Sequence, residues 1–157
     1  MMDTMAAALT WTTQGDRIRL VGRIDENADL AALAAAIPPD GATLDLGGLT
    51  RINSIGVREW MDFVTGLAPR KVRLERCAPV FVEQLNAIAN FTGGAELLSV
   101  LASFECENDG DVTNVEVTID DARQQKLPAP PACNKCGAIM IPAQEDAQYY
   151  RFLRYTR

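Results

Sequence analysis

The sequence predicts an α/β fold: a mixed, largely parallel sheet with helices mainly on one face, followed by a small β-rich appendage. Three observations lead there. Through the first hundred residues, segments that alternate apolar and polar side chains are interleaved with segments of helical spacing, the pattern of a parallel sheet with crossover helices. Several strands alternate instead of being apolar throughout, so one sheet face is left to solvent or to another layer. After residue 103 the helical spacing gives way to an alternating strand, a proline-rich connection and a Cys-x-x-Cys-Gly sequence. The expected division is 1–103 for the α/β domain and 104–157 for the appendage, with 120–132 as linker.

Residues 9–13 read as a short strand, Gln14-Gly15-Asp16 as a turn and 17–24 as a second strand. In the latter, Ile18, Leu20, Gly22 and Ile24 alternate with Arg17, Arg19, Val21 and Arg23, and the pair suggests a hairpin. Asp25 or Asn27 is placed to cap a helix that buries Leu30, Leu33, Ala34 and Ile37 and is stopped by Pro38-Pro39-Asp40-Gly41. Then come a strand at 43–46, a glycine turn at Gly47-Gly48-Leu49, and a helix opened by Ile52-Asn53-Ser54-Ile55-Gly56. That helix carries Val57, Trp60, Met61 and Val64 on one face, and residues 66–69 end it. Residues 71–76 form a strand, Pro79 starts a helix buried through Phe81, Leu85 and Ile88, and 96–104 read as the last strand of the unit. The sheet face away from the helices would carry Arg17, Arg19, Arg23, Asp45, Arg73 and Glu75, solvated or covered by the appendage or a partner.

With 157 residues, 48% of them hydrophobic, and a net charge of −6, the chain has material for one ordinary domain with a real core. Basic and acidic residues number 9 and 12 in 1–103, and 6 and 9 in 104–157. Neither part is the basic patch that nucleic-acid binding requires. No apolar run approaches the roughly 18 residues of a membrane span. Asp3, with no Lys or Arg before Arg17, argues against a signal peptide, so the expected location is the cytoplasm. The chain has no histidine. That removes Ser-His-Asp triads, His-ligated zinc hydrolases and imidazole acid–base chemistry, and a non-enzymatic role is expected.

A polar turn delivered by a strand onto a helix N-terminus is a natural place for an anion or phosphoryl group, because the first backbone N–H groups lack partners and the helix dipole favours negative charge. The order of elements, with Leu44-Asp45-Leu46 and then Asn53-Ser54-Ile55-Gly56-Val57 entering a helix, resembles the STAS domain over roughly residues 9–104. That family includes bacterial anti-sigma-factor antagonists and cytoplasmic domains of some sulfate transporters. In the antagonists the turn commonly reads Asp-Ser-Ser/Thr-Gly-Leu, and a partner kinase phosphorylates the hydroxyl just before the glycine. Here Gly56 is that glycine, Ile55 holds the acceptor position, the Asp falls on Asn53 and the following Ser on Ser54. The resemblance thus implies a partner-binding surface of Asn53, Ser54, Ile55, Gly56 and Arg58 without the usual switch. Ser54, one residue out of register, is the remaining phosphorylation candidate, since a phosphate there would find a helix N-terminus. Asn53 or Ser54 also reads simply as the helix cap.

In the appendage, Val115, Val117 and Ile119 alternate with Asn114, Glu116 and Thr118 as a strand, and residues 142–145 can start a final helix carrying Tyr149, Phe152 and Leu153. Cys133-Asn134-Lys135-Cys136-Gly137 has the form of a zinc-ribbon knuckle, in which two thiolates chelate the metal and glycine relieves the tight turn. A partner knuckle is expected at 106–109, where Cys106 is present but the second cysteine is Asp109. The layout resembles that of STAS-like bacterial proteins with a C-terminal zinc ribbon. Two states stay open: zinc on Cys106, Cys133 and Cys136 completed by Asp109 or water, or a metal-free ribbon held by its own packing. Cys77 reads as a buried small apolar residue. Few apolar positions make docking on the first domain necessary without metal; the uncovered sheet face is a candidate place, with Tyr149, Tyr150 and Phe152 as anchors.

The leading expectation is therefore a protein-interaction module of bacterial signalling, bound to an anti-sigma-factor-like, kinase-like or other protein partner. The alternative is a sensor that takes a nucleotide or other anion at the helix N-terminus. A thiol–redox protein using Cys133 and Cys136 is the third class.

Overall fold

A computed structural model describes residues 7–156; Asp3 and Arg157 lie outside them. The expected hairpin forms from β1 (Thr10–Gln14) and β2 (Arg17–Ile24), paired antiparallel. β3 (Gly41–Ile52), β4 (Lys71–Glu75) and β5 (Glu96–Leu97) follow in parallel, giving a five-stranded sheet in the order β1-β2-β3-β4-β5. Between them run α1 (Leu30–Ala36), α2 (Ser54–Gly66) and α3 (Pro79–Ala87). The alternation read from the sequence decides the faces. Ile18, Leu20 and Ile24 of β2, Leu44 and Leu46 of β3, and Leu74 of β4 are fully buried and join Leu33, Trp60 and Phe81 of the three helices in one cluster. Trp60 anchors it, donating its indole N–H to the Phe91 carbonyl at 2.9 Å and meeting the Phe81 ring edge-on at 5.3 Å between centroids.

Three local expectations are corrected. The α1 cap is Asp29, whose carboxylate accepts from the Ala32 N–H at 3.0 Å; Asp25 instead accepts from the Asn27 N–H within the preceding turn. Gly47-Gly48-Leu49 is no turn but continues β3. The β2–β3 register slips by one residue between Arg19 and Val21 and again between Gly22 and Arg23, so the extra residues are taken up as bulges. Glycine suits the first slip because a Cβ on Gly48 would lie 2.6 Å from the Leu20 carbonyl oxygen. The strand expected over 96–104 breaks at Leu98: β5 ends the large sheet, while β6 (Ser99–Glu105) belongs to a second one.

That second sheet is antiparallel, in the order β7-β6-β8, with β7 at Val112–Thr118 and β8 at Ile141–Pro142. The Ser103/Phe104 division thus falls inside β6, and the buried cluster runs from Leu9 to Phe152 across both parts. Ile119 leaves the strand to open a short helix, α4 (Ile119–Arg123), capped by the Thr118 hydroxyl, within what read as linker. The C-terminal helix is interrupted: α5 (Asp146–Tyr149) gives way to a 3-10 turn (Arg151–Arg154).

The tail does not dock on the open sheet face. The Tyr149 hydroxyl donates to the Leu101 carbonyl, and Asn86 on α3 brackets the segment: its amide donates to the Tyr149 carbonyl at 3.0 Å and its Oδ1 accepts from the Phe152 N–H at 2.7 Å. Tyr149 and Phe152 are buried and Tyr150 partly so, against α3 and β6. Apolar rings find an apolar seat there, whereas the open face is ion-paired. On it Asp45 and Glu75 are buried among arginines, with Arg17 Nε 3.1 Å from Glu75 and Arg76 Nε 3.4 Å from Asp45. Among the described residues, no helix is long and apolar enough to cross a membrane.

Candidate functional site

Two places gather the residues singled out by the sequence. The first is the start of α2. β3 delivers Asn53 in an extended conformation, and its Oδ1 accepts from the Gly56 N–H at 2.7 Å, the N-cap contact. Its amide nitrogen donates to Glu26 at 2.9 Å, a neighbour that no sequence spacing marks. The backbone and Asn53 hydrogen bonds hold the Glu26 carboxyl below its ordinary range. Gly56 is buried against the end of β2: a Cβ there would lie 1.9 Å from the Ile24 carbonyl oxygen. With that seat fixed, Ser54, Ile55 and Arg58 face solvent, Ile55 being 43% exposed.

The second place is built by two turns of one design. In the first, the Cys106 carbonyl accepts from the Gly110 N–H at 2.9 Å and the Cys106 N–H donates to the Asp111 carbonyl at 2.8 Å. In the second, the Cys133 carbonyl accepts from the Gly137 N–H and the Cys133 N–H donates to the Ala138 carbonyl, both at 2.8 Å. Gly110 and Gly137 adopt φ of 75° and 78°, a conformation that favours glycine. Asp109 therefore stands in the first turn where Cys136 stands in the second. Each turn tips a pair of antiparallel segments: Glu105 pairs with Val112, and Ala132 bridges Ile139.

The turns face each other. The Sγ atoms of Cys106 and Cys136 are 3.4 Å apart, and Cys133 Sγ lies 3.4 Å from Asp109 Oδ2. One ligand atom from each of Cys106, Asp109, Cys133 and Cys136 lies within 4.8 Å of all the others. A tetrahedral ion with metal–sulfur bonds of about 2.3 Å sets its sulfurs about 3.8 Å apart, so the cluster has the dimensions to hold one. Cys106 and Cys133 are buried; Asp109 and Cys136 face solvent.

Local electrostatics separate the four groups. The Cys106 thiol is pushed up to about 11: the Asp109 backbone N–H acts against the shift, and burial with the neighbouring Cys136 and Cys133 thiols drives it. The Cys136 thiol is lowered, first by the Ala138 backbone N–H and then by the Asn108 side chain, whose nitrogen lies 3.6 Å from the sulfur. The Asp111 backbone N–H, at 2.9 Å, lowers Asp109. Lys135 reaches from the second turn to Asp111 beside the first, at 3.5 Å. Asn108 and Lys135 carry no signal in a cysteine-spacing argument, because their contacts depend on how the turns meet. Cys77 lies apart, fully buried at the end of β4, where burial raises its thiol.

No protein-family model matches the chain, and no curated protein matches it.

Proposed function

We propose that this chain is a non-enzymatic, STAS-like protein-interaction module of bacterial signalling, cytoplasmic, binding a protein partner through Asn53, Ser54, Ile55, Gly56 and Arg58. The observation that carries the reading is the set of restraints on the α2 N-terminus. Asn53 caps it and Gly56 is seated against β2, so Ile55 and Arg58 are presented to solvent from a fixed backbone. Pre-ordered groups lose little entropy on binding, and arginine with an apolar anchor is a common interface pairing. Ile55 at the acceptor position leaves recognition to packing rather than to phosphorylation. The anion-sensor alternative is less favoured, because Asn53 already fills the cap and Glu26 places a carboxylate beside it.

Capture from the native cell tests this reading. The wild-type chain should retain a partner in stoichiometric amount, and Ile55→Asp or Arg58→Glu should weaken retention without moving the melting temperature. Equal retention by both variants would refute the surface. A ligand-dependent rise in melting temperature with no protein partner would favour the sensor.

The metal we assign to the second site is zinc. Three thiolates suit this borderline-soft ion, and a carboxylate oxygen is an acceptable fourth ligand. When bound, zinc would tie the two turns together and keep their thiolates deprotonated. The role is structural, reinforcing a small sheet that also leans on α3.

A further inference from the structure

We infer that Cys106 and Cys136 form an oxidant-responsive pair, a modification site that a peroxide converts to a disulfide joining the two turns. The inference deepens the metal assignment, since the same step would discharge the ion, but the thiol chemistry stands on the geometry alone.

Position selects the pair. Cys136 is the exposed cysteine of the cluster, so a small oxidant reaches it first. Its sulfur lies 3.4 Å from that of Cys106, across the turns. Cys133, its partner in the Cys-x-x-Cys spacing, also reaches both of these thiols, but its sulfur is shared with Asp109, 3.4 Å from Oδ2. Sequence alone would nominate Cys133 and Cys136 as the redox pair; the structure nominates Cys106 and Cys136. A disulfide requires the sulfurs to close to about 2.05 Å. Cys106 begins one tight turn and is buried, whereas Cys136 lies within the other and is exposed, so the closing movement falls mainly on the Cys136 turn, where packing opposes it least.

The steps balance. The Cys136 thiolate attacks one peroxide oxygen, the O–O bond breaks, and with one proton the products are a Cys136 sulfenic acid and water. The Cys106 sulfur then attacks the sulfenic sulfur and expels hydroxide, which takes up the Cys106 proton in the metal-free chain, or a proton from solvent in the loaded one, to give the second water. Two thiols are oxidised and one hydrogen peroxide is reduced. Only Cys133 and Asp109 would then remain as ligands, too few for a closed zinc site, so the ion leaves. A dithiol reductant reverses the step.

The test uses the full chain, zinc-loaded and metal-free, treated with hydrogen peroxide and then digested without reduction for mass spectrometry. A Cys106–Cys136 linkage is expected in both forms, with Cys133 and Cys77 still open to alkylation, and a chromogenic chelator should detect about one zinc released per loaded chain. A Cys133–Cys136 linkage would overturn the inference. So would Cys136 oxidised to sulfinic acid with Cys106 still free, or zinc retained while the disulfide forms. Zinc content before oxidant addition judges the metal assignment separately: a chain that never takes up zinc refutes that assignment, while the linkage mapped in the metal-free form still decides the pair.

Discussion

Gly56 and Glu75 are both under tight local constraint. Replacing Gly56 by alanine would put a methyl group 1.9 Å from the Ile24 carbonyl, backbone that cannot step aside. A loss of about 3 kcal/mol in urea denaturation is expected, and a loss below that of an ordinary surface change would show that the helix seat is loose. Glu75 is buried on the open sheet face, and burial raises its carboxyl above the usual 4.5, with Arg17 acting in the opposite direction. A raised folded pKa means that the neutral form contributes stability below the unfolded value, and that this contribution is lost as pH rises through the folded value. Glu75→Gln should therefore match the native protein near about pH 4 and gain on it toward about pH 7 in thermal melts. A gain that shrinks with rising pH would contradict the assignment. Arg17 does not offset the burial by hydrogen bonding: it lies 3.1 Å from Glu75 Oε2, yet among the described residues that buried oxygen has no hydrogen-bond partner.

At the scale of elements, what was legible follows from how local each signal is. The β1–β2 hairpin, α2 with Trp60 and Val64 inward, and α3 started by Pro79 all rest on spacing within a dozen residues, and the structure contains them. The bulges of β3 are not local: they arise because β2 and β3 differ in length along one ladder. The break at Leu98 has the same character, since β4 claims Leu97 while β7 claims Ser99 onward. The anchors of the tail were readable as aromatic residues at helical spacing, but their seat was not, because Asn86 matters only once α3 is folded. Phe152 is fully buried there. Phe152→Ala should cost about 3 kcal/mol in the same denaturation measurement, and an unchanged midpoint would mean that the tail is not docked. In the cluster of 106, 109, 133 and 136, the four positions were readable from knuckle spacing. That Asp109 sits as the counterpart of Cys136 needed the two sets of turn hydrogen bonds.

At the scale of the molecule, one buried cluster joins two sheets, so the small C-terminal unit need not stand on a core of its own. The proposed partner surface and the metal-capable cluster belong to different elements, α2 and the β6–β7 tip with the turn at 133–137, so each can be altered without touching the residues of the other. If a partner protein lands on the α2 N-terminus, as proposed, hydrogen–deuterium exchange with and without the captured partner will register it. The Gly56 N–H is held by the Asn53 side chain and the Val57 N–H by the Asn53 carbonyl, but Ser54 and Ile55 precede that ladder and should exchange faster when free, so a footprint is read best there. Partner binding should slow exchange in residues 54–58. Protection confined to other segments, with 54–58 exchanging as in the free chain, would contradict it.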